Sequence, residues 1–235
     1  MNSDLMDLQQ LATYLKRDPR EVSRLASRGT IPARKVGGEW RFVRVEINHW
    51  IETQMPSYSE QQLLALERDP QHRADPELVI TPLLAEQCLA VPLTASTRGS
   101  VLRALVQLAE QSWQVYDPDA ILEAIRQREE MNSTDMGMGV AIPHPHRPLP
   151  NALGEAVMAY GRTAAGVPFG SAHGNLTDIF FLVCCRDDQT HLRVLARLAR
   201  LLQRPDFVSG LRQAASPAET LRLIQTVERE IAGKR

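Results

Sequence analysis

Two polar, proline-containing breaks divide this chain and limit the folds open to it. The apolar pattern stops at residues 55–59, which contain Pro56 and two serines. It stops again at residues 68–76, where two prolines stand among charged residues. Between the breaks, residues 60–66 have the composition of a short helix. We therefore predict three segments: a domain at 1–53, a linker at 54–76 and a second domain at 77–235.

Composition excludes several classes of protein. The net charge is −1, so any nucleic-acid surface must be local. The opening residues are acidic and polar, and no run of about 18 apolar residues occurs, which leads us to expect a cytoplasmic protein without membrane spans. Cys88, Cys184 and Cys185 do not form a Cys-x-x-Cys pair, and we expect them to be reduced, buried thiols.

The first domain has the signals of short helices around a hairpin. Residues 7–10 can form a capping box, and Asp18-Pro19 is a strong helix start. Gly29 is expected to end that second helix. Gly37-Gly38 supplies the positive φ that a tight hairpin turn needs, and helical spacing resumes over 45–51.

Positive charge is concentrated in this domain. Between Lys16 and Arg44 there are nine basic and three acidic residues. A basic stripe on a helix and a hairpin is typical of phosphate-backbone binding, although a charge run on a solvated surface is the alternative.

Residues 4–53 resemble the excisionase-type winged helix-turn-helix related to the MerR family. The likeness rests on an Ala-x-x-Leu helix, a Val-x-x-Leu helix, Arg28-Gly29-x-Ile31-Pro32 and Val36-Gly37-Gly38-x-Trp40-Arg41-Phe42. The resemblance implies that the second helix faces the major groove with Arg20, Ser23 and Arg24. It also implies that the wing lies against phosphates with Arg34, Lys35 and Arg41. Tyr14 and Trp40 are expected in the core. Because excisionase modules also bind proteins, a protein partner is the alternative.

The second domain alternates helices with apolar runs. Residues 179–183 are apolar throughout, as in a central strand buried on both faces. We predict an α/β fold, a layered domain with a central mixed sheet flanked by helices. The predicted helices are 100–113, 117–128, 190–202 and 217–231, and the predicted strands are 156–160 and 178–185.

The most informative segment is residues 137–148, where glycines and prolines surround His144 and His146. A neutral imidazole nitrogen can attack phosphorus at neutral pH and later leave, so histidine suits a phosphoryl carrier. From the residues alone, an ordinary loop histidine or a metal site made by two close histidines remains open.

Residues 77–230 resemble the enzyme IIA domain of the fructose/mannitol type in the bacterial phosphotransferase system, including its nitrogen-regulatory branch. Thr190-His191-Leu192 resembles that family's Thr-His-Leu helix. The family's long motif is matched without a gap by Arg128-Glu129-Glu130-Met131-Asn132-Ser133-Thr134-Asp135-Met136-Gly137-Met138-Gly139-Val140-Ala141-Ile142-Pro143-His144.

The resemblance implies a role for each matched residue. His144 would accept a phosphoryl group from the system's histidine phosphocarrier protein, Arg128 would neutralise phosphate oxygens, and His191 would lie beside His144. Ser133 and Thr134 would either donate hydroxyls to the phosphate or shape the turn. The family implies no metal and no organic cofactor, and the chain would be a phosphohistidine carrier rather than an enzyme that turns over a small molecule.

Two departures from the family pattern bear on this function. Pro145 stands where the family usually has glycine, which removes an N–H next to the acceptor. Residues 171–175 replace a family segment that precedes a strand. His146 has no family counterpart. It is expected in an exposed loop, and a second phosphoryl acceptor is the alternative. His49, His72 and His173 are treated as surface residues.

Three functions follow from these features. The first is a regulator that responds to phosphorylation of His144 and binds DNA, and the absence of a permease or carrier domain favours it. The second is an enzyme IIA that passes phosphate to a sugar permease. The third is a regulatory binding protein that no longer accepts phosphate, for which Pro145 is the main support. A dimer would suit paired operator half-sites, but no heptad dimerisation helix is evident.

Overall fold

The computed structural model describes residues 4–67, 78–171 and 174–233. The chain divides into two units, Met1–Arg68 and Asp69–Arg235. The first unit thus includes residues 60–67, which the sequence placed in the linker. The proline-punctuated remainder of the linker, with His72, lies outside the described residues, and so does His173.

The first unit combines short helices with a small antiparallel sheet whose strand order is β1-β3-β2. Its elements are β1 (Leu5–Met6), α1 (Leu8–Leu15), α2 (Pro19–Ser27), β2 (Arg34–Val36), β3 (Glu39–Val43), α3 (Arg44–Gln54) and α4 (Glu60–Glu67).

The predicted helix starts are present. The side chain of Asp7 accepts a hydrogen bond from Gln10 N at 2.8 Å, and the side chain of Gln10 accepts one from Asp7 N at 2.8 Å. Asp18 accepts from Arg20 N at 2.7 Å. These bonds satisfy backbone N–H groups that a helix leaves unpaired in its first turn, so the helices begin where the caps stand.

The hairpin turn between β2 and β3 depends on two glycines, as predicted. Gly37 has φ +62° and Gly38 has φ +85°, both in the region that favours glycine. The pairing of β1 with β3 was not predicted, because β1 has only two residues.

The helix α4 is part of the first unit. Leu63 on α4 is fully buried, and Lys16 Nζ donates to the carbonyl oxygen of Ala65 at 2.8 Å. Tyr14 and Trp40, assigned to the core from the sequence, are only half-buried. Tyr14 has a polar hydroxyl to satisfy, which donates to Asn48 Oδ1 at 2.6 Å.

The second unit is a mixed sheet flanked by helices. Its named elements are β4 (Leu89–Ala90), α5 (Arg98–Glu110), α6 (Pro118–Met131), β5 (Asp135–Gly137), β6 (Val140–Ala141), β7 (Val157–Pro168), β8 (Leu176–Cys184), α7 (Asp188–Leu202), α8 (Pro205–Gln213) and α9 (Pro217–Ala232).

Within the described residues the sheet has the strand order β4-β7-β8-β6-β5. The pairs β4–β7 and β6–β8 are parallel, and the pairs β7–β8 and β5–β6 are antiparallel. The central strand is β8, as the apolar run 179–183 predicted. Phe180, Leu182 and Cys184 pack in the cluster formed with α5 and α6. Since strand side chains alternate, the residues between them face the opposite side, where α7 packs on β8.

Helix α8 was not predicted from the sequence. Its N-cap residue, Arg204, makes no side-chain cap hydrogen bond, and Gly210 lies within the helix. Both features weaken the local helix signal, so packing must stabilise this element.

All three cysteines are buried and reduced. Among residues 4–67, 78–171 and 174–233, no helix has the length and apolarity needed to cross a membrane.

Candidate active site

A tight hairpin leads into the segment that carries His144. It joins β5 to β6, and its turn residues Gly137, Met138 and Gly139 all have positive φ. The strand β6 then pairs in parallel with the central strand, with Val140 opposite Ile179. The candidate acceptor therefore follows a strand fixed from both sides, at the carboxyl end of that strand.

Backbone hydrogen bonds continue to hold the chain beyond β6. Ile142 N donates to Thr134 O at 3.1 Å, and Val183 N donates to Pro143 O at 3.0 Å. The two residues before His144 are thus bonded to the β5 side and to β8, respectively.

One hydrogen bond sets the tautomer of His144. Its Nδ1 lies 2.7 Å from the carbonyl oxygen of Ile142. Because a carbonyl oxygen only accepts, Nδ1 must carry the proton. In the neutral ring the lone pair is then on Nε2, so Nε2 is the nitrogen available as a nucleophile.

The structure brings His191 to His144. Asp187 caps α7 by accepting from Thr190 N at 2.8 Å, which places His191 in the first turn of the helix. The two imidazole rings have centroids 5.0 Å apart and planes inclined by 55°. The N-terminus of a helix favours an anion, so this arrangement suits a phosphoryl group near both rings.

Arg128 lies in the last turn of α6 and is buried. Its Nη1 donates to the carbonyl oxygen of Asn132 at 2.8 Å. The guanidinium therefore supports the loop that connects α6 to β5, in addition to any contact with phosphate.

The hydroxyls of Ser133 and Thr134 have partners within the fold. Ser133 Oγ donates to Phe169 O at 2.9 Å. Thr134 Oγ1 donates to the carboxylate of Glu129. Since each hydroxyl has one proton, these bonds favour the turn-shaping alternative over donation to phosphate.

Pro145 does not disturb the hydrogen bond that orients the His144 ring. The ring is held by Ile142 O, which lies before His144 in the chain, and needs no N–H at position 145. His146, expected in an exposed loop, is half-buried.

An ion pair beside the hairpin turn, between Arg212 and Asp178, was not predicted from the sequence. Arg212 on α8 makes two bonds of 2.8 Å to Asp178 and also donates to Met138 O. The hydrogen bonds to Asp178 raise the pKa of the Arg212 guanidinium. Residues 138, 178 and 212 are far apart in sequence, so no spacing could reveal this contact.

The candidate DNA-binding residues fall into two groups. Arg20 and Arg24 on α2 are exposed, and Ser23 beside them is half-buried. On the hairpin, by contrast, the cations already have partners. Arg34 is 2.5 Å from Glu46, Arg41 is 2.6 Å from Glu39, and Lys35 lies over the Trp40 ring.

Both units of the chain are similar to known proteins. Residues 5–55 match a family described as a helix-turn-helix domain. A fructose-specific EIIABC component from Bacillus subtilis is 30% identical over 139 residues, which are 58% of this chain and 21% of that protein. A nitrogen regulatory protein from Bradyrhizobium diazoefficiens is 32% identical over 136 residues, 57% of this chain and 86% of that protein.

Solved structures share the fold of the second unit. The nitrogen regulatory protein IIA-Ntr of Neisseria meningitidis has a TM-score of 0.56 at 22% identity and covers 61% of this chain and 97% of its own. The mannitol IIA of Escherichia coli has a TM-score of 0.53 at 19% identity and covers 60% of this chain and 97% of its own. Residues 82–227 match the family described as phosphoenolpyruvate-dependent sugar phosphotransferase system, EIIA 2. The chain therefore belongs to the type 2 enzyme IIA family of this phosphotransferase system.

Proposed function

We propose that this protein is a phosphotransferase-linked regulator. His144 accepts a phosphoryl group from a histidine phosphocarrier protein, and the N-terminal unit binds DNA. The observation that carries the first half is the Nδ1 bond to Ile142 O, which leaves Nε2 as nucleophile with His191 5.0 Å away between ring centroids.

The transfer step follows from this geometry. The Nε2 lone pair attacks phosphorus and forms a new N–P bond, while the N–P bond of the donor phosphohistidine breaks. The electron pair of the broken bond returns to the donor's ring nitrogen, so no external proton or co-reactant is needed. The Nδ1 proton of His144 stays on its bond to Ile142 O. Arg128 and the N-terminus of α7 supply positive potential for the equatorial oxygens.

Phosphoryl transfer is tested with phosphoenolpyruvate, enzyme I and the phosphocarrier protein. We expect the wild type to gain an acid-labile phosphoryl group and His144→Ala to gain none. His146→Ala is the matched control, since it removes an imidazole two residues away and should still be labelled. An unlabelled wild type, or label retained by His144→Ala, would overturn this half of the proposal.

Transfer onward to a partner is a second candidate function. One relative, from Haloferax volcanii, is named as a fructose-specific EIIA component. One solved structure of the same fold is a complex of the E. coli mannitol IIA with phosphorylated IIB. Passage of label from the phosphorylated protein to an added IIB domain would support this function. Label that stays on the protein with every IIB tried would favour the regulator.

DNA binding is supported by the exposed cations of α2 in a helix-turn-helix unit. Arg34 and Arg41 must exchange their glutamate partners for phosphates, and Lys35 must leave the Trp40 ring, so α2 is expected to contribute more. Removal of one arginine that binds a DNA phosphate should reduce the slope of log K against log salt by about 1.

The DNA test uses gel shifts at several salt concentrations. The double variant Arg20→Ala/Arg24→Ala should lower the slope by about 2 units if both side chains contact phosphates. Arg222→Ala, an exposed arginine of the second unit, is the control and should leave the slope unchanged. A wild type that does not shift DNA, or whose shift does not depend on salt, would contradict DNA binding by the N-terminal unit.

A further inference from the structure

Glu129 is a buried carboxylate that the transfer step described above does not use. Its side chain is 1% exposed, and Arg98 Nη2 on α5 lies 3.0 Å from its Oε2. A buried charge is costly unless it is paired and hydrogen-bonded. The fold meets this requirement, since Arg98 also donates to the main-chain oxygen of Glu129. The carboxylate is therefore fixed at a defined place beside the loop that follows α6.

The carboxylate of Glu129 also holds Thr134. The backbone N of Thr134 lies 3.3 Å from both carboxylate oxygens, and its Oγ1 donates to Oε1. Two donors of one residue thus converge on one buried acceptor. Such convergence fixes both the side chain and the peptide plane of Thr134.

Thr134 in turn holds the backbone that orients the acceptor ring. Its carbonyl oxygen accepts from Ile142 N at 3.1 Å. The carbonyl of Ile142 is the group to which His144 Nδ1 donates at 2.7 Å. A continuous path of hydrogen bonds therefore runs from Arg98 through Glu129, Thr134 and Ile142 to the acceptor ring.

We propose that Glu129 is a positioning residue for phosphoryl transfer, which acts through Thr134 and Ile142 to aim Nε2 of His144. The proposal rests on the proposed function, since it assigns Glu129 a role in that reaction. Glu129 touches neither phosphate nor the ring. It keeps the backbone of Ile142 in place, so that the carbonyl of this residue fixes the tautomer and the direction of the nucleophile. Transfer depends steeply on such positioning, because a misplacement of about 1 Å can cost about a hundred-fold in rate.

The test compares transfer rates of variants along the path. In Glu129→Gln the amide nitrogen must face either Arg98 or Thr134, so one link is broken, and we expect the rate to fall at least about ten-fold. Glu130→Gln makes the same chemical change at the neighbouring exposed position and should change the rate less than about two-fold. Thr134→Val removes the hydroxyl without burying a new charge and should slow transfer as Glu129→Gln does. Thr134→Ser restores the hydroxyl and should recover the rate.

A spectroscopic measurement separates positioning from a general loss of structure. Nitrogen-15 NMR of the His144 ring should show the Nδ1–H tautomer in the wild type and in Thr134→Ser. Thr134→Val and Glu129→Gln should show a mixture of tautomers while circular dichroism stays unchanged. If Glu129 acted through its charge alone, only Glu129→Gln would be slow and Thr134→Val would be normal, which would overturn the proposal.

The two proposals fail in different ways. A wild type that accepts no phosphate removes the proposed function, and the NMR comparison then decides whether Glu129 orients the ring. If the wild type is labelled, and Glu129→Gln and Thr134→Val both keep the wild-type transfer rate and ring tautomer, only the role of Glu129 is refuted.

Discussion

At the scale of single residues, the hairpin turn before His144 shows how a close approach restricts sequence. Gly137 and Gly139 have nearly the same backbone conformation, with φ +78° and +77°. Their surroundings differ. A Cβ on Gly137 would meet nothing within 4 Å, whereas one on Gly139 would lie 2.6 Å from Arg212 Nη2 and 2.7 Å from Asp178 Oδ1. Gly139 is thus needed for its conformation and for the space it leaves.

We predict that Gly139→Ala destabilises the second unit by about 3 kcal/mol and Gly137→Ala by about 1 kcal/mol. Both variants carry the cost of an L-residue at positive φ, about 1–2 kcal/mol. Only Gly139→Ala must also displace the Arg212–Asp178 pair. Urea unfolding of the full chain, followed by far-UV circular dichroism, measures both costs. Equal losses in the free energy of unfolding would show that displacement of the Arg212–Asp178 pair has no measurable cost.

At the scale of elements, a buried carboxylate on α9 ties together three parts of the second unit. Glu228 is fully buried and accepts from the backbone N of Val79, Ile80 and Thr81 at 2.6, 2.7 and 2.8 Å. Arg197 on α7 lies 3.4 Å from the same carboxylate. The carboxylate therefore holds the first described residues of this unit against α7 and α9.

Glu228→Gln is expected to destabilise the second unit by about 3 kcal/mol, because an amide nitrogen would face buried N–H donors and the ion pair with Arg197 would be lost. The matched control on the same helix is Glu230→Gln. Glu230 makes an exposed pair with Arg204 at 2.8 Å, and removal of that pair should cost less than about 1 kcal/mol. Chemical denaturation of both variants tests the difference. A Glu228→Gln protein as stable as the control would exclude the carboxylate as an anchor.

At the scale of the whole molecule, the reactivity of the three thiols measures whether the interior of the second unit is closed to solvent. Burial raises the pKa of the Cys88 and Cys185 thiols, and it raises the pKa of Cys184 to about 12. The thiolate is the reactive form, and a raised pKa lowers its population at pH 8. Access is limited as well, since the cysteines belong to the interior of this unit.

The native protein should therefore show no fast reaction with a thiol reagent such as DTNB at pH 8, and three thiols should react after unfolding in denaturant. Reactivity should rise as the pH is raised, since more thiolate then forms. Ser209→Cys, at an exposed position of α8, provides the positive control with one fast thiol. A fast thiol in the native wild type would mean that this interior is open to solvent.

The sequence by itself determined the local elements of this protein. The caps at Asp7 and Asp18 and the turn at Gly37-Gly38 were predicted correctly, because a cap or turn satisfies backbone groups within four residues. The family motif from Arg128 to His144 likewise lies in one continuous segment.

Tertiary structure alone decided how those elements act together. The Arg98–Glu129 and Arg212–Asp178 pairs join residues 31 and 34 positions apart, and Glu228 binds residues almost 150 positions away. Helix α8 likewise depends on packing rather than on caps. The orientation of the His144 ring belongs to this second class, because a hydrogen bond between neighbours positions a ring only when the backbone that offers it is held from elsewhere in the fold.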